Sequence, residues 1–148
     1  MKVVLQRVSF ADVKVDGKTV GKIDKGILCL VGVKTDDIGC EDKISKMADK
    51  IVNMRIFEDE NEKMNLSLKD IDGELLVISQ FTLYGDASHG NRPSYIEAAR
   101  PEDAEPYYEK FVNELKNKGI KKVECGVFGA DMKVSLLNDG PVTIVYEL

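Results

Sequence analysis

Two hydroxyls, an amide and an aromatic ring (Ser79, Gln80, Phe81 and Thr82) follow directly on the apolar run Leu75–Ile78. Polar groups at the end of a buried strand need hydrogen-bond partners. They either satisfy neighbouring backbone groups or face a ligand, and the residues alone leave both open. In a straight strand Gln80 and Thr82 would face one side, Ser79 and Phe81 the other. A pocket that uses Ser79 and Thr82 together therefore requires a bend here. A nucleophilic threonine also needs a base nearby, and no obvious one stands in the surrounding sequence.

A second candidate is Asn138-Asp139-Gly140-Pro141, set between two apolar runs. Asp-Gly is a strong hairpin signal, but the proline cannot donate a ladder hydrogen bond. Before proline a cis bond costs only about 0.5–1 kcal/mol, so the sequence permits one. Glycine lets backbone atoms approach a ligand closely. Arg92, in the loop sequence "GNRPSY", is either a phosphate or carboxylate ligand or an ordinary surface arginine.

Other chemistries lack their residues. His89 is the only histidine and sits in the glycine- and proline-broken stretch "DASHGNRP", so a Ser-His-Asp arrangement would depend on it alone. No H-x-x-x-H or His/Cys cluster offers a transition-metal site, and no cofactor is expected. "VGVKTDD" is too short for a phosphate-binding glycine loop. Residues 58–63 lack calcium-loop spacing. Cys29, Cys40 and Cys125 are an odd number without C-x-x-C spacing, which fits a reducing cytoplasm.

Around these candidates, residues 1–10 read as a strand and "ADVKVDGKTVGKI" as a hairpin. "GILCLVGV" is continuously apolar, as in a strand buried on both faces. Asp36 and Asp37 open a polar stretch with N-cap candidates. Ile44, Met47, Ala48 and Ile51 then follow helical spacing. "EDENEKMN" reads as a charged loop and "ELLVISQFTL" as the strongest strand. A second helix is predicted over 103–118, with Asp103 as N-cap, Pro106 in the first turn and Gly119 as the stop. Three short strands should follow, near 122–127, 132–138 and 142–147. Regular β-α alternation is missing. We therefore expect one α+β domain over 1–148, a largely antiparallel barrel-like sheet with two covering helices.

The 148 residues suit one domain, and no apolar run approaches the ~20 residues that span a membrane. "MKVVLQRVSF" reads as a first strand rather than a signal peptide. The net charge of −5 weighs against broad nonspecific nucleic-acid binding. It leaves room for a local basic patch, and "KNKGIKK" concentrates Lys116, Lys118, Lys121 and Lys122. A solvated helix end is the plainer account of these lysines.

Several separated segments resemble one family. "SQFTL" at 79–83 and "NDGPVT" at 138–143 resemble the signature motifs of the D-aminoacyl-tRNA deacylases. "QRV" at 6–8, "RIFEDENEKMN" at 55–65, "GNRPSY" at 90–95 and "GVFGADMKVSLLNDGPVT" at 126–143 are similar to its flanking blocks. The resemblance covers essentially the whole chain. Tyr95 stands where the family often has phenylalanine. The resemblance implies hydrolysis of the ester between a D-amino acid and the 3′-terminal adenosine of tRNA. It also implies a cytoplasmic homodimer with sites at the subunit interface.

By the same resemblance, Gly140-Pro141 is a cis dipeptide inserted into the partner's site, held by Arg7, and its carbonyls exclude an L side chain. Ser79, Gln80, Phe81 and Thr82 line the pocket. Phe128, Gly129, Ala130 and Met132 neighbour the adenosine. Such a site should also accept glycine. An aminoacyl ester is already reactive, so positioning and oxyanion stabilisation are favoured over a threonine nucleophile. Two alternatives remain. One is a related deacylase acting on a small L-aminoacyl-tRNA, whose members tend to carry threonine at the place of Ser79. The other is a catalytically silent RNA-binding homodimer.

Overall fold

In a computed structural model that describes residues 1–148, one long strand organises the sheet. Strand β1 (Lys2–Val15) pairs along one edge with two successive neighbours. Its first half runs antiparallel to β3 (Gly26–Gly32), and its second half runs antiparallel to β2 (Lys18–Ile23). Its other edge carries β8 (Lys133–Glu147), also antiparallel. Beyond β3 lie β6 (Glu74–Ser79) and β7 (Lys122–Cys125), both parallel to their neighbours. A two-stranded hairpin, β4 (Phe57–Glu58) and β5 (Met64–Leu66), stands apart, its strands flanking the charged loop and taking in its ends.

The sheet is thus mixed, with two parallel pairings in an otherwise antiparallel set. The physical reason is the helices. Helix α1 (Glu41–Asn53) carries the chain from β3 to β6, and α2 (Pro101–Asn117) from β6 to β7. Crossovers of that length return the chain in the same direction. The sheet nearly closes on itself, because β7 approaches β2. The Lys122 ammonium donates to the Lys22 carbonyl at 2.6 Å. Gly21 has no side chain where a Cβ would stand 2.7 Å from the Cys125 carbonyl.

Strand alternation divides the core in two. Leu75 and Val77 of β6 point to the helices, joining Ile44, Met47, Ile51, Phe111 and Leu115 in a cluster of 24 buried residues. Leu76 and Ile78 point the other way, joining Val8, Val13, Ile23 and Leu28 in a cluster of seven. This two-sided burial is why β3 and β6 are apolar without interruption. Ile44, Met47, Ala48 and Ile51 do form the buried stripe of α1. Helix α2 starts earlier than expected, with Arg100 as N-cap and Pro101 in the first turn. Proline is tolerated there because its missing N–H has no helical partner. Pro106 then lies inside the helix.

Asp37 does not cap α1. It is fully buried at a short turn, where it accepts from the Lys34 N–H at 2.8 Å and the Lys43 ammonium at 2.6 Å. The Met1 ammonium lies 2.5 Å away. Burial opposes ionisation of Asp37, but the bonds from Lys43, the Met1 ammonium and the Lys34 N–H outweigh it and hold its pKa below the usual carboxylate value. A depressed folded pKa contributes stability that is complete above the unfolded value of about 3.9 and fades as pH falls through the folded one. Asp37→Asn should cost about 3–5 kcal/mol at pH 7, since it leaves the buried Met1 ammonium without its carboxylate. Urea unfolding of both proteins should show that gap narrowing below about pH 4.

Candidate active site

Strand β6 ends at Ser79, and the chain then bends. Gln80 donates its N–H to the Val31 carbonyl at 2.7 Å, a last ladder bond to β3. Phe81–Tyr84 follow as a single 3-10 turn. This is the bend that a joint use of Ser79 and its neighbours requires. The N–H groups of Phe81 and Thr82 open the turn and have no partner within it. Phe81 is 55% exposed, a large ring held at the surface. Tyr95 meets it edge-on, with ring centroids 5.2 Å apart.

A cavity of about 680 Å³ opens beside this turn. That size lies within the roughly 300–1,000 Å³ of small-molecule sites. Ile78, Ser79, Gln80 and Phe81 form one wall, and Phe128 to Met132 form another. Pro101, Ala104 and Glu105 close it from α2, and Tyr95, Ala98 and Ala99 from the preceding loop. Gly126 makes room for Met132, whose sulfur occupies the place a Cβ would take. Gly129 has φ +72°, a conformation that suits glycine in the turn between β7 and β8. The lining contains two carboxylates, Glu105 and Asp131, and no cation. Asp131 is bonded by the Lys133 ammonium at 2.9 and 3.1 Å. The cavity therefore suits a neutral or cationic group and repels a phosphate.

The structure thus joins Ser79, Gln80 and Phe81 with Phe128, Gly129, Ala130 and Met132. Thr82 stays outside the lining, exposed, with its hydroxyl accepting a bond from the Gln80 amide. Arg92 is exposed and also outside. His89 contacts only the Ser88 hydroxyl, at 2.7 Å, and Asp86 accepts from the Ser88 N–H rather than from the ring. No group of three or more His, Cys, Asp or Glu side chains is placed to hold a metal ion. The α2 wall escaped the sequence reading. Its residues Ala104 and Glu105 look like ordinary helix, and only the tertiary placement of α2 reveals their role.

Arg7, Gly140 and Pro141 form a separate cluster. The stretch from 138 to 143 is not a hairpin turn between two strands. It lies within β8, which runs unbroken from Lys133 to Glu147. Val8 pairs with Asn138 and Gln6 with Thr143, so Asp139–Val142 bulge outward opposite Arg7 alone. Arg7 is 5% exposed. It donates to the Ile56 carbonyl at 2.8 Å and the Asp139 carbonyl at 3.1 Å. The Asp139 and Glu58 carboxylates lie 3.6 and 3.7 Å away. Gly140 has φ +117°, and a Cβ there would stand 2.6 Å from the guanidinium. The Gly140–Pro141 bond is cis. With its amide turned so that both oxygen and nitrogen find partners, Asn138 ties the neck of the bulge, its nitrogen donating to the Arg7 and Val142 carbonyls at 3.0 Å each.

A barrel-like mixed sheet with two helices, a cation-free cavity at a strand end and an arginine-clamped bulge define one class of protein, and comparison places the chain within it. The profile of the D-Tyr-tRNA(Tyr) deacylase family matches residues 4–147. A protein from Flavobacterium psychrophilum named D-aminoacyl-tRNA deacylase is 57% identical over 147 residues, 99% of this chain and 97% of its own. Another of that name, from Lactobacillus acidophilus, is 58% identical over 149 residues, 100% of both chains. A solved structure described as c-Myc DNA Unwinding Element Binding Protein superposes with a TM-score of 0.93 at 39% identity, covering 100% of this chain and 99% of that one. One described as a probable eukaryotic D-amino acid tRNA deacylase shares the fold, with a TM-score of 0.84 at 14% identity, covering 99% and 98%. The chain belongs to the D-Tyr-tRNA(Tyr) deacylase family, a family of hydrolases.

Removing the clamp should loosen the bulge. Arg7→Met leaves the Ile56 and Asp139 carbonyls without a donor and should destabilise by about 2–4 kcal/mol in urea unfolding. Arg7→Lys keeps the charge but not the fork, and should recover only part of that. A fully stable Arg7→Met protein would show that the cluster does not hold the bulge.

Proposed function

We propose that this protein hydrolyses the ester between a D-amino acid and the 3′-terminal adenosine of tRNA, in the cytoplasm, as a homodimer. The observation that carries this reading is the cavity that joins Ser79–Phe81 to Phe128–Met132. It is large enough for a nucleoside, free of cationic side chains, and bordered by the Phe81 turn, whose first N–H groups have no partner within the turn. The adenosine sits against Phe128 and Met132. Its aminoacyl ester reaches the turn at Phe81 and Thr82. There the two N–H groups stabilise the oxyanion that forms as water attacks the carbonyl. Thr82 positions and does not attack, since its hydroxyl is held by Gln80 and no base stands beside it.

Chirality is read by a second chain. Gly140 and Pro141 lie outside the cavity of their own subunit, on a bulge that Arg7 presents outward. Inserted into a partner's cavity, their carbonyls accept from the substrate ammonium and occupy the space of an L side chain. Rejection is then by exclusion, and glycine passes. Support for the dimer comes from the apolar residues of β8 that stay uncovered in one chain. Leu137 is 53% exposed and Val145 65%.

A second reading, nucleic-acid binding without hydrolysis, is favoured by the description of the 39%-identical structure as a DNA unwinding element binding protein. Hydrolysis assays with D-tyrosyl-, glycyl- and L-alanyl-tRNA separate the readings. The deacylase reading expects cleavage of the first two and sparing of the third. Cleavage of L-alanyl-tRNA above the others would indicate the L-specific editing alternative. Binding without any cleavage would favour the second reading. Thr82→Ala should lose no more than about tenfold in kcat, against the roughly 10²–10³-fold typical of a lost oxyanion donor. Complete loss, with an acyl-enzyme trapped on the native protein, would make Thr82 the nucleophile.

A further inference from the structure

A second groove, of about 400 Å³, continues from the cavity, and the two share Glu105 and Phe128. One stripe of α2 floors it, with Glu105, Glu109, Asn113 and Lys116 in order away from the cavity. At 1.5 Å per residue this stripe is roughly 16 Å long. Its near end is acidic, its middle an amide, its far end cationic. Tyr108 packs at a tilt against Phe128, with ring centroids 6.0 Å apart, and donates to the Val77 carbonyl at 2.9 Å, so the shared wall is fixed.

The lysines of "KNKGIKK" differ sharply in what they already hold. Lys118 bonds Asp49 and Glu114 at 2.9 Å each. Lys121 lies 3.9 Å from Asp72, and Lys122 is tied to the Lys22 carbonyl and near Glu74 and Glu124. Lys116 alone of the four has no carboxylate partner, and it alone lines the groove. The cavity itself contains no cation, so the phosphate of a nucleotide seated there must be neutralised elsewhere.

We propose that this groove seats the nucleotide preceding the terminal adenosine, a cytidine at tRNA 3′ ends; this rests on the deacylase reading. Lys116 pairs with the phosphate on its 5′ side, the one farther from the adenosine. Glu109 accepts from the exocyclic amine of the base, the pairing a carboxylate makes with cytosine, and Asn113 bonds the base edge. The carboxylates at the near end and the cation at the far end orient the nucleotide with its 5′ phosphate away from the cavity. The groove thereby distinguishes a tRNA end from an isolated aminoacyl nucleoside.

The test compares D-tyrosyl-tRNA with 3′-D-tyrosyl-adenosine as substrates for the native enzyme, Lys116→Ala, Asn113→Ala and the control Lys110→Ala, whose lysine is paired with Glu41. Lys116→Ala and Asn113→Ala should raise KM for the tRNA several-fold with kcat retained, and leave kcat/KM for the nucleoside ester unchanged. The dependence of log KM on log salt should become shallower by about 0.7 for Lys116→Ala, one phosphate contact on a single strand. Lys110→Ala should change neither substrate. Equal losses on both substrates, or no loss on the tRNA, would overturn the groove while leaving the deacylase reading intact. A native protein that cleaves neither substrate would overturn that reading and the groove together.

Discussion

A single buried guanidinium governs what surrounds it. Arg7 sits on the central strand, where burial of an unpaired charge would be prohibitive. Two carbonyls from distant segments, Ile56 and Asp139, therefore converge on it. Their convergence fixes where β8 leaves its ladder with β1 and where it returns. It also explains the residue at 140. With a positive φ and the guanidinium against its α-carbon, any side chain there would collide with the charge that shapes the bulge. Arg7, Asp139 and Gly140 thus act as one unit although 132 residues separate the arginine from Asp139.

The same strand order builds the cavity. β6 is buried on both faces and stops at Ser79, so the chain emerges at a fixed point and bends into the Phe81 turn. Helix α2 crosses from β6 to β7 and lays Ala104 and Glu105 over that point. The β7–β8 connection then folds Met132 against Gly126 and completes the opposite wall. Stability and site share these parts: Tyr108 belongs to the main core and braces Phe128 at the cavity edge. The division of charge follows the same plan. No cationic side chain lines the cavity, whereas the bulge surrounds one.

Local patterns were legible where one interaction decides the outcome. The unbroken apolar run of β6 encodes its two-sided burial, and the 44, 47, 48, 51 spacing encodes the buried face of α1. "NDGP" shows why the remainder was not. Asp-Gly signals a hairpin when its neighbours pair with each other, but here both flanks pair with β1. That strand lies more than a hundred residues away, and the register shift opposite Arg7 exists only in the ladder. The two parallel pairings were hidden for a similar reason, since crossovers through α1 and α2 depend on which strands the helices return to. Asp37 carries the composition of a helix cap, yet the buried Met1 ammonium, the Lys34 N–H and the Lys43 ammonium make it a core ion. The two stretches that the cavity brings together, Ser79–Phe81 and Phe128–Met132, stand in segments that resemble a family. The wall made by α2 was not legible, because nothing in its local sequence differs from an ordinary helix.

The central claim is that one subunit holds the ester and the other reads its handedness. The most direct measurement is a crystal structure of the protein with a 3′-amide-linked D-aminoacyl adenosine, which cannot be hydrolysed. The account predicts the adenine against Phe128 and Met132 of one subunit, and the carbonyl carbon beside the Phe81 and Thr82 N–H groups. The ammonium should meet the Gly140 and Pro141 carbonyls of the other subunit. An aminoacyl group contacted by a single chain, with Gly140 and Pro141 facing solvent, would contradict it.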